Sequence, residues 1–281
     1  MTQAGRGPLL TQPTHALLER ALRAGVTHCD CSLDLGLTSQ TIELTAAGFI
    51  WQELRYPLPA ALKERTIYYW NGTDFAPASH YAGSLIKLVP TPWGAPTFEI
   101  DGIKMLPTAK VSPFEDARRK VELVGVRQQR ILDTCGGLGY FAAWCLRLGA
   151  AQVLSCEKNL QVLWLRDLNP WSPRADELLT VLNVGIDTHI ETLAAASFDV
   201  ILHDPPRFGI AGELYSRQFY AQLARVLRPG GTLFHYTGSP NKLTSGRDVQ
   251  GEVLRRLEES GFDARRALDG VLGRSVLKPV R

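Results

Sequence analysis

Short apolar runs alternate with stretches of helical periodicity along residues 112–281. The predicted strands are RILDTC, QVLSCE, LLTVLNV, FDVILHD, TLFHYTG and, at the end of the chain, VLGRSVLKPV. The intervening helices are GYFAAWCLRLG, LQVLWLRDL, LYSRQFYAQLARVL and VQGEVLRRLEES. This alternation predicts an α/β fold whose mostly parallel sheet is covered by helices on both faces. The final strand follows the last helix without another crossover, which predicts an antiparallel edge strand.

The first 110 residues have the pattern of a small β-rich domain. A short helix is predicted over His15–Ala24, and residues 27–105 are rich in short runs typical of strands. The pairs Asn71-Gly72 and Asp101-Gly102 lie between β-prone runs, and each predicts a hairpin. We therefore expect a β-rich domain over residues 1–110.

The pattern changes at Ser112–Glu115. These four residues have the form of a capping box with proline at the first helical position. They predict a helix that continues to about Val126, ahead of the alternating strands and helices. The second predicted domain is therefore residues 111–281.

The formal net charge of +3 lies in one part of the chain. Residues 1–110 carry nine basic and nine acidic side chains, so the excess falls in residues 111–281. Neither part has the strongly basic composition typical of nucleic-acid-binding domains, although folding can still gather a basic face. The longest apolar stretch, Gly136–Cys156, is interrupted by Arg147, so no membrane span is predicted.

The chain has five cysteines, an odd number, and its first residues lack a secretion signal. This combination predicts free thiols in a reducing, cytoplasmic protein. Cys29 and Cys31 flank Asp30 after His28, which is too tight a spacing for the usual pair of zinc ligands. We interpret this segment as an ordinary strand and expect no metal site.

A glycine-rich turn, Asp133–Gly139 (DTCGGLG), connects a predicted strand to a predicted helix. Small residues let the backbone turn tightly and approach a ligand closely. The free amides at the start of the following helix favour a negatively charged group. Folds that bind NAD or FAD have similar turns, so this one does not identify its ligand by itself.

An acidic residue, Glu157, ends the next strand, 24 residues after Asp133. Nucleotide-binding folds hold a ribose diol with an acid at about this spacing. The alternative interpretation is a surface carboxylate at the start of a helix, where acids are favoured in any protein.

A third feature follows the strand FDVILHD, which ends at His203-Asp204 and continues as Pro205-Pro206-Arg207-Phe208. Ligands of open α/β sheets bind beyond the carboxyl ends of the strands. The two prolines fix the backbone and remove two amides. The carbonyl before them and the Asp204 carboxylate can then face the cleft as hydrogen-bond acceptors.

Together these three features resemble class I S-adenosylmethionine-dependent methyltransferases. By that resemblance, DTCGGLG surrounds the methionine part of the cofactor, Glu157 holds the two ribose hydroxyls, and Asn183–Asp187 borders the adenine. HDPPRF corresponds to the fourth motif of these enzymes, at the substrate. The resemblance covers about residues 112–281 and implies a Rossmann-like methyltransferase sheet with S-adenosyl-L-methionine as cofactor.

The same resemblance implies a set of cofactor-binding residues. They are Asp133, Cys135, Gly136, Gly137, Gly139, Glu157 and Lys158. Cys135 stands where the family usually has its first glycine, and a small thiol can fit there.

A more specific resemblance covers nearly the whole chain. The run HDPPRFGIAGELYSRQFYAQLARVLRPGGTLFHYTGSP is similar to a family of predicted methyltransferases found chiefly in archaea. The N-terminal runs CSLDLGLT and FEIDGIKM are similar to the same family. This resemblance implies methyl transfer without naming an acceptor.

The fourth motif departs from the form found in methyltransferases that act on planar amino groups. Arg207 occupies the position of their aromatic residue, and Phe208 follows one position later. DPPR also resembles the motif of RNA 5-methyluridine methyltransferases, which need a nucleophilic cysteine beyond it. No cysteine follows Cys156, so covalent attack on a pyrimidine ring is excluded.

The predicted mechanism depends on positioning, since the methyl group of a sulfonium needs little covalent help to transfer. Asp204 and the backbone beside Pro205 would orient the acceptor, and Asp204 or His203 would take its proton. Arg207 would pair with an anionic acceptor.

The predicted substrate contacts lie at strand ends that should face the cleft. They are Phe208, His235, Tyr236 and Asn241. For the last three, the alternative interpretation is a polar loop without function. The basic residues of the helix that begins near Pro113, Arg118–Lys120, are interpreted as a solvated face.

The sequence does not identify the group that accepts the methyl. One hypothesis is a nucleobase or RNA nitrogen, with the N-terminal domain holding RNA, and a second is a small molecule with that domain as a lid. A third is an aminopropyltransferase that uses decarboxylated S-adenosylmethionine, although the paired acids of polyamine synthases are not evident. A non-catalytic module that retains the cofactor is the remaining alternative.

Overall fold

A seven-stranded β-sheet organises the C-terminal part of the chain in the computed structural model, which describes residues 7–238 and 248–276. The chain divides into two units. The first consists of residues 1–115 with 164–172, and the second of residues 116–163 with 173–281.

The first unit is built from short antiparallel strands and one helix. The helix is α1 (Gln12–Arg23). The strands are β1 (Leu9–Leu10), β2 (His28–Cys31), β3 (Gln40–Thr45), β4 (Gly48–Trp51), β5 (Leu54–Pro57), β6 (Tyr68–Trp70), β7 (Phe75–Pro77), β8 (Ser79–Tyr81), β9 (Leu85–Val89), β10 (Thr97–Ile100) and β11 (Ile103–Lys104). They form three sheets, in the orders β1-β6-β7, β2-β3-β4-β5 and β11-β10-β9-β8. The β-rich character expected for this part of the chain is confirmed.

Both predicted hairpins are present, with different turns. Asn71 and Gly72 begin a four-residue turn, in which the Asn71 side-chain oxygen accepts the amides of Thr73 and Asp74, both at 2.9 Å. Asp101 and Gly102 form a two-residue turn with φ of 49° and 80°. Positive φ at both positions is the geometry that Asp-Gly favours between twisted strands.

The core of this unit is aromatic. Phe49 stacks on Tyr56 with ring centroids 5.5 Å apart, and Trp70 meets both Tyr56 and Phe75 edge to face at 5.3 Å. The segment His28–Cys31 forms the strand β2, as expected. Over the described residues, no cluster of His, Cys, Asp and Glu side chains is suited to hold a metal ion.

The rest of the chain alternates helices and strands. The helices are α2 (Pro113–Glu122), α3 (Tyr140–Arg147), α4 (Leu160–Leu168), α5 (Ile186–His189), α6 (Arg217–Val226) and α7 (Val249–Glu259). Two 3₁₀ turns, Ile190–Thr192 and Gly212–Tyr215, interrupt the pattern. Within residues 7–238 and 248–276, every helix is too short or too polar to cross a membrane.

The seven strands of the large sheet are mostly parallel, and the α/β fold class is confirmed. They are β12 (Arg130–Asp133), β13 (Gln152–Cys156), β14 (Leu179–Leu182), β15 (Phe198–His203), β16 (Leu227–Tyr236), β17 (Phe262–Ala267) and β18 (Gly270–Ser275). Their order across the sheet is β14-β13-β12-β15-β16-β18-β17.

The antiparallel strand lies one position inside the edge that the sequence predicted for it. β18 pairs with β16 on one side and with β17 on the other. β17 was not predicted, because Arg265 and Arg266 interrupt the alternation of apolar and polar residues and Phe262 is its one buried side chain. The last residues of the predicted terminal strand, 277–280, and Asn241 lie outside the described residues.

Parallel register brings the ends of five strands to one edge of the sheet. Asp133 at the end of β12 is level with Ser155 of β13 and Leu202 of β15, and His203 is level with His235 of β16. All the polar strand-end features of the sequence therefore lie along this edge, which we call the carboxyl edge.

Candidate functional site

The glycine-rich turn connects β12 to α3 in a tight loop at the carboxyl edge. Gly137 and Gly139 take the left-handed conformation, with φ of 49° and 77°. The Gly136 amide donates to the carbonyl of Cys156 at 2.7 Å, which fastens the turn to β13. Cys135 has no left-handed backbone angle, so a side chain is accommodated at the position where the family usually has glycine.

Asp133 lies within the sheet edge and is fully buried. Its carboxylate accepts the Ser155 hydroxyl at 2.8 Å and so links the ends of β12 and β13. A buried carboxylate is stabilised by such hydrogen bonds. This placement gives Asp133 a structural part in supporting the turn.

The Glu157 carboxylate is fixed by two backbone amides. One of its oxygens accepts the Gly137 amide at 3.0 Å, and the other accepts the Asn159 amide at 2.9 Å. The side chain of Asn183, at the end of β14, donates to the main-chain carbonyls of Glu157 and Lys158 at 2.9 and 3.0 Å. Glu157 is therefore held against the glycine-rich turn.

The start of α4 has its own capping residue, so Glu157 is not needed to cap this helix. The side-chain oxygen of Asn159 accepts the Gln161 amide at 2.9 Å. A carboxylate oxygen can accept more than one hydrogen bond. Because Glu157 is also partly exposed, the residues present fit a ribose diol and the adenosine part of S-adenosylmethionine.

The remaining residues of the predicted adenine region lie beside Glu157. The Lys158 side chain is exposed, and its carbonyl is tied to Asn183. α5 begins just after Gly185, and the Asp187 carboxylate folds back so closely that a Cβ on Gly185 would meet it. These residues form a polar rim at the end of β14.

Asp204 follows β15 and is half-buried at the carboxyl edge. Burial raises the pKa of its carboxyl to about 6, while the Lys120 ammonium lowers this pKa and Asp116 raises it further. Such a carboxyl is mostly ionised at neutral pH and can still take up a proton readily. The role of Asp204 as a proton acceptor stays a prediction.

The Cys135 thiol lies within the electrostatic field of both Glu157 and Asp204. Burial raises the pKa of this thiol well above its usual value, with further contributions from the carboxylates of Glu157, Asp133 and Asp204. Glu157 and Asp204 therefore lie near the glycine-rich turn, at the ends of the strands on either side of β12.

Lys120 is buried, whereas the sequence placed it on a solvated face, so that expectation is wrong for this residue. Only 2% of the residue is exposed. Its Nζ lies 2.6 Å from a carboxylate oxygen of Asp116 and 3.5 Å from the centre of the Tyr236 ring. The sequence signal was present: Phe114, Ala117 and Val121 mark the buried face of α2, and Lys120 is three residues after Ala117.

His203 is fully buried beneath the carboxyl edge. Its Nε2 donates to the carbonyl of Leu214 at 3.2 Å, and its Nδ1 accepts from Thr134 at 2.7 Å. Burial lowers the pKa of His203 well below its usual value, and His235 lowers it further. With both nitrogens bonded inside the protein, His203 is poorly placed to take a proton from an acceptor.

His235 is buried beside His203, with ring centroids 4.4 Å apart. Its Nε2 accepts the Tyr220 hydroxyl and its Nδ1 donates to the carbonyl of Tyr236, both at 2.9 Å. Burial lowers the pKa of His235 to about 3, so the ring is neutral. His235 packs below the edge, whereas Tyr236 is partly exposed and reaches Lys120.

The loop after Asp204 is held by buried groups. The Tyr215 hydroxyl donates to the carbonyl of Pro206 at 3.1 Å, and the ring of Phe208 meets the Tyr215 ring edge to face at 5.4 Å. Arg256 donates to the Tyr215 carbonyl at 2.5 Å. Arg207 is exposed. The Pro-Pro segment is thus fixed while Arg207 extends into solvent.

The raised pKa of Asp204 predicts a pH-dependent stability. Relative to Asp204→Asn, the wild type should lose roughly 2–3 kcal/mol of unfolding free energy as pH rises from about 4 to about 7, since folding disfavours the ionised carboxyl. Urea unfolding of both proteins at about pH 4.5 and about pH 7.5 measures the change. The same difference at both pH values would contradict the burial of Asp204.

Comparison with known proteins finds similarities of fold and of sequence. No family model matches the sequence. The structure aligns with a spermidine synthase in complex with the transition-state analogue AdoDATO at a TM-score of 0.57 and 17% identity, over 70% of this chain and 72% of that one. At this identity the likeness is one of fold.

Two sequence relatives differ in how much of the chain they cover. The polyamine aminopropyltransferase of Mycobacterium tuberculosis is 34% identical over 132 residues, which are 41% of this chain and 24% of that protein. The uncharacterized protein MJ1233 of Methanocaldococcus jannaschii is 41% identical over 222 residues, 78% of this chain and 76% of that protein. The chain belongs to the family of MJ1233.

Proposed function

We propose that this protein is an S-adenosylmethionine-dependent methyltransferase. The observation that carries the proposal is the placement of two carboxylates along one edge. Glu157 is fixed by the Gly137 amide of the glycine-rich turn and by the Asn159 amide, and Asp204 stands two strands away at the end of β15. An elongated nucleoside ligand held by its ribose at Glu157 would extend toward Asp204, where an acceptor can meet it.

The proposed role of each residue follows from the chemistry of its side chain. Bound S-adenosylmethionine supplies a methyl group on a positively charged sulfur. Glu157 and the amides of the turn hold the adenosine part. Asp204 accepts a hydrogen bond from the acceptor and takes its proton, since a carboxyl with a pKa near 6 is an effective base at neutral pH. His203 and His235 support the strand ends from below.

A nitrogen of a nucleobase or of a small molecule is the acceptor that we favour. Asp204 and the carbonyls beside the two prolines are hydrogen-bond acceptors, so they suit a group that carries N–H. Arg207 is exposed at the same loop and would pair with a phosphate or carboxylate of the acceptor.

Aminopropyl transfer is the second candidate, favoured by the sequence and fold likeness to polyamine synthases. That reaction joins a cationic aminopropyl donor to a cationic amine. Lys120 neutralises Asp116 at the site, and Arg207 adds a further positive charge nearby. Since the Asp116–Lys120 pair carries no net charge, the Asp204 carboxylate is the negative charge that would face two cationic substrates, and Arg207 opposes it. We therefore rank this function below methyl transfer.

Binding of the product S-adenosylhomocysteine tests the proposed cofactor. Calorimetry should show binding to the wild type, and Glu157→Ala should weaken it by roughly ten- to hundred-fold, the value of hydrogen bonds to a charged group. Glu258→Ala removes an exposed acid of α7 and should leave the affinity unchanged. Binding of NAD in place of S-adenosylhomocysteine, or equal affinities of both variants, would contradict the proposal.

The Asp204→Asn variant tests the proposed base. It should bind S-adenosylhomocysteine as the wild type does and transfer methyl groups roughly a hundred-fold or more slowly, since it cannot take up the acceptor's proton. The assay is uptake of radiolabelled methyl groups from S-adenosylmethionine into RNA and into pools of small metabolites. Wild-type turnover by this variant would assign the role to another residue.

A further inference from the structure

A buried pair of opposite charges stands beside Asp204. α2 leads toward β12 and carries Asp116 and Lys120 one helical turn apart. The Lys120 ammonium lies over the ring of Tyr236, at the end of β16, and its charge lowers the pKa of Asp204 at the end of β15. The pair therefore belongs to the carboxyl edge, although the proposed chemistry does not use it.

The two members of the pair differ in exposure. The Lys120 side chain is 3% exposed, whereas that of Asp116 is 18% exposed. Burying an ammonium is costly unless partners surround it, and a salt bridge between two buried charges often stabilises a fold no better than apolar side chains would. The ammonium has three donors. Asp116 and the Tyr236 ring are two partners of this ammonium, so a second anion beside Lys120 would accept from its third N–H donor.

The position of the pair fits the far end of a ligand anchored at Glu157. Such a ligand passes Cys135, whose thiol lies in the fields of both Glu157 and Asp204. Asp204 in turn lies in the fields of Lys120 and Asp116. In the sheet order β13-β12-β15-β16, Glu157 follows β13, Asp204 follows β15, and Lys120 of the ion pair lies over Tyr236 of β16, so these charges succeed one another along the carboxyl edge.

S-Adenosylmethionine ends in an amino acid, with one ammonium and one carboxylate. Asp116 is suited to accept from the ammonium and Lys120 to donate to the carboxylate, so that charges of opposite sign alternate. Decarboxylated S-adenosylmethionine ends in an ammonium alone, which would bring a second cation against Lys120 without an added anion. Like charges placed together in this way discriminate strongly between ligands.

We propose that the Asp116–Lys120 pair recognises the amino-acid end of S-adenosylmethionine and makes the site reject the decarboxylated form. This inference rests on the proposed function, and it names Lys120 as the specificity-determining residue between methyl and aminopropyl donors. Lys120 holds the ligand's carboxylate and takes no part in proton transfer.

Two neutral thioether ligands distinguish the proposed role of Lys120 from a general effect of its substitution on folding. S-Adenosylhomocysteine carries the amino-acid end, and 5′-methylthioadenosine shares its adenosine and sulfur without that end. Calorimetry with the wild type should show tighter binding of S-adenosylhomocysteine. In Lys120→Met that affinity should fall by roughly ten- to hundred-fold while the affinity for 5′-methylthioadenosine stays the same. The preference for S-adenosylmethionine over its decarboxylated form should fall with it.

Two further variants control the experiment. Asp116→Asn combined with Lys120→Gln removes both charges together and keeps hydrogen-bonding side chains, so it avoids leaving one buried charge unpaired. It should lose the same preference for S-adenosylhomocysteine. Arg118→Met removes a partly exposed cation from the same helix, one that is paired with Glu122, and should bind both thioethers as the wild type does.

The outcomes distinguish this inference from the proposed function. A wild type that binds both thioethers equally, or a Lys120→Met protein that loses both equally, would overturn the role of Lys120 and leave the methyltransferase proposal standing. A wild type that binds neither thioether would overturn both proposals. A wild type that prefers decarboxylated S-adenosylmethionine would overturn both in favour of aminopropyl transfer.

Discussion

The parallel pairing of β12 with β13 and with β15 determines where Asp133, Glu157 and Asp204 lie. Because the three strands run in the same direction, their carboxyl ends meet at one edge and carry Asp133, Glu157 and Asp204 there. A helix must follow each strand to return the chain, so backbone amides also gather at this edge. The glycine-rich turn uses these amides to hold the Glu157 carboxylate.

Burial beneath the carboxyl edge accounts for much of the chemistry above it. His203 and His235 are kept neutral, and each satisfies both ring nitrogens within the protein. Their bonds to Leu214 and Tyr220 tie the strand ends to the segment after the two prolines. The same low polarity raises the pKa of Asp204, and Lys120 limits that rise. The Asp204 carboxyl thus lies above a neutral support.

The pattern of apolar runs predicted the strand order along the chain and the edge at which Glu157 and Asp204 lie, because these features follow from local periodicity and parallel connection. β17 was missed, since an edge strand with one buried residue has little apolar alternation to detect. The placement of His203, His235 and Lys120 depends on how α2 and the Gly212–Tyr215 turn pack on the sheet. Sequence spacing alone does not specify that packing.

A crystal structure of the protein with S-adenosylhomocysteine is the most direct test of the central claim that one nucleoside ligand spans the carboxyl edge. We predict that both ribose hydroxyls donate to Glu157 and that the sulfur lies over the glycine-rich turn on the side of Asp204. We also expect the ligand's carboxylate within hydrogen-bond distance of Lys120. A ribose bound away from Glu157, or a sulfur directed away from Asp204, would contradict it.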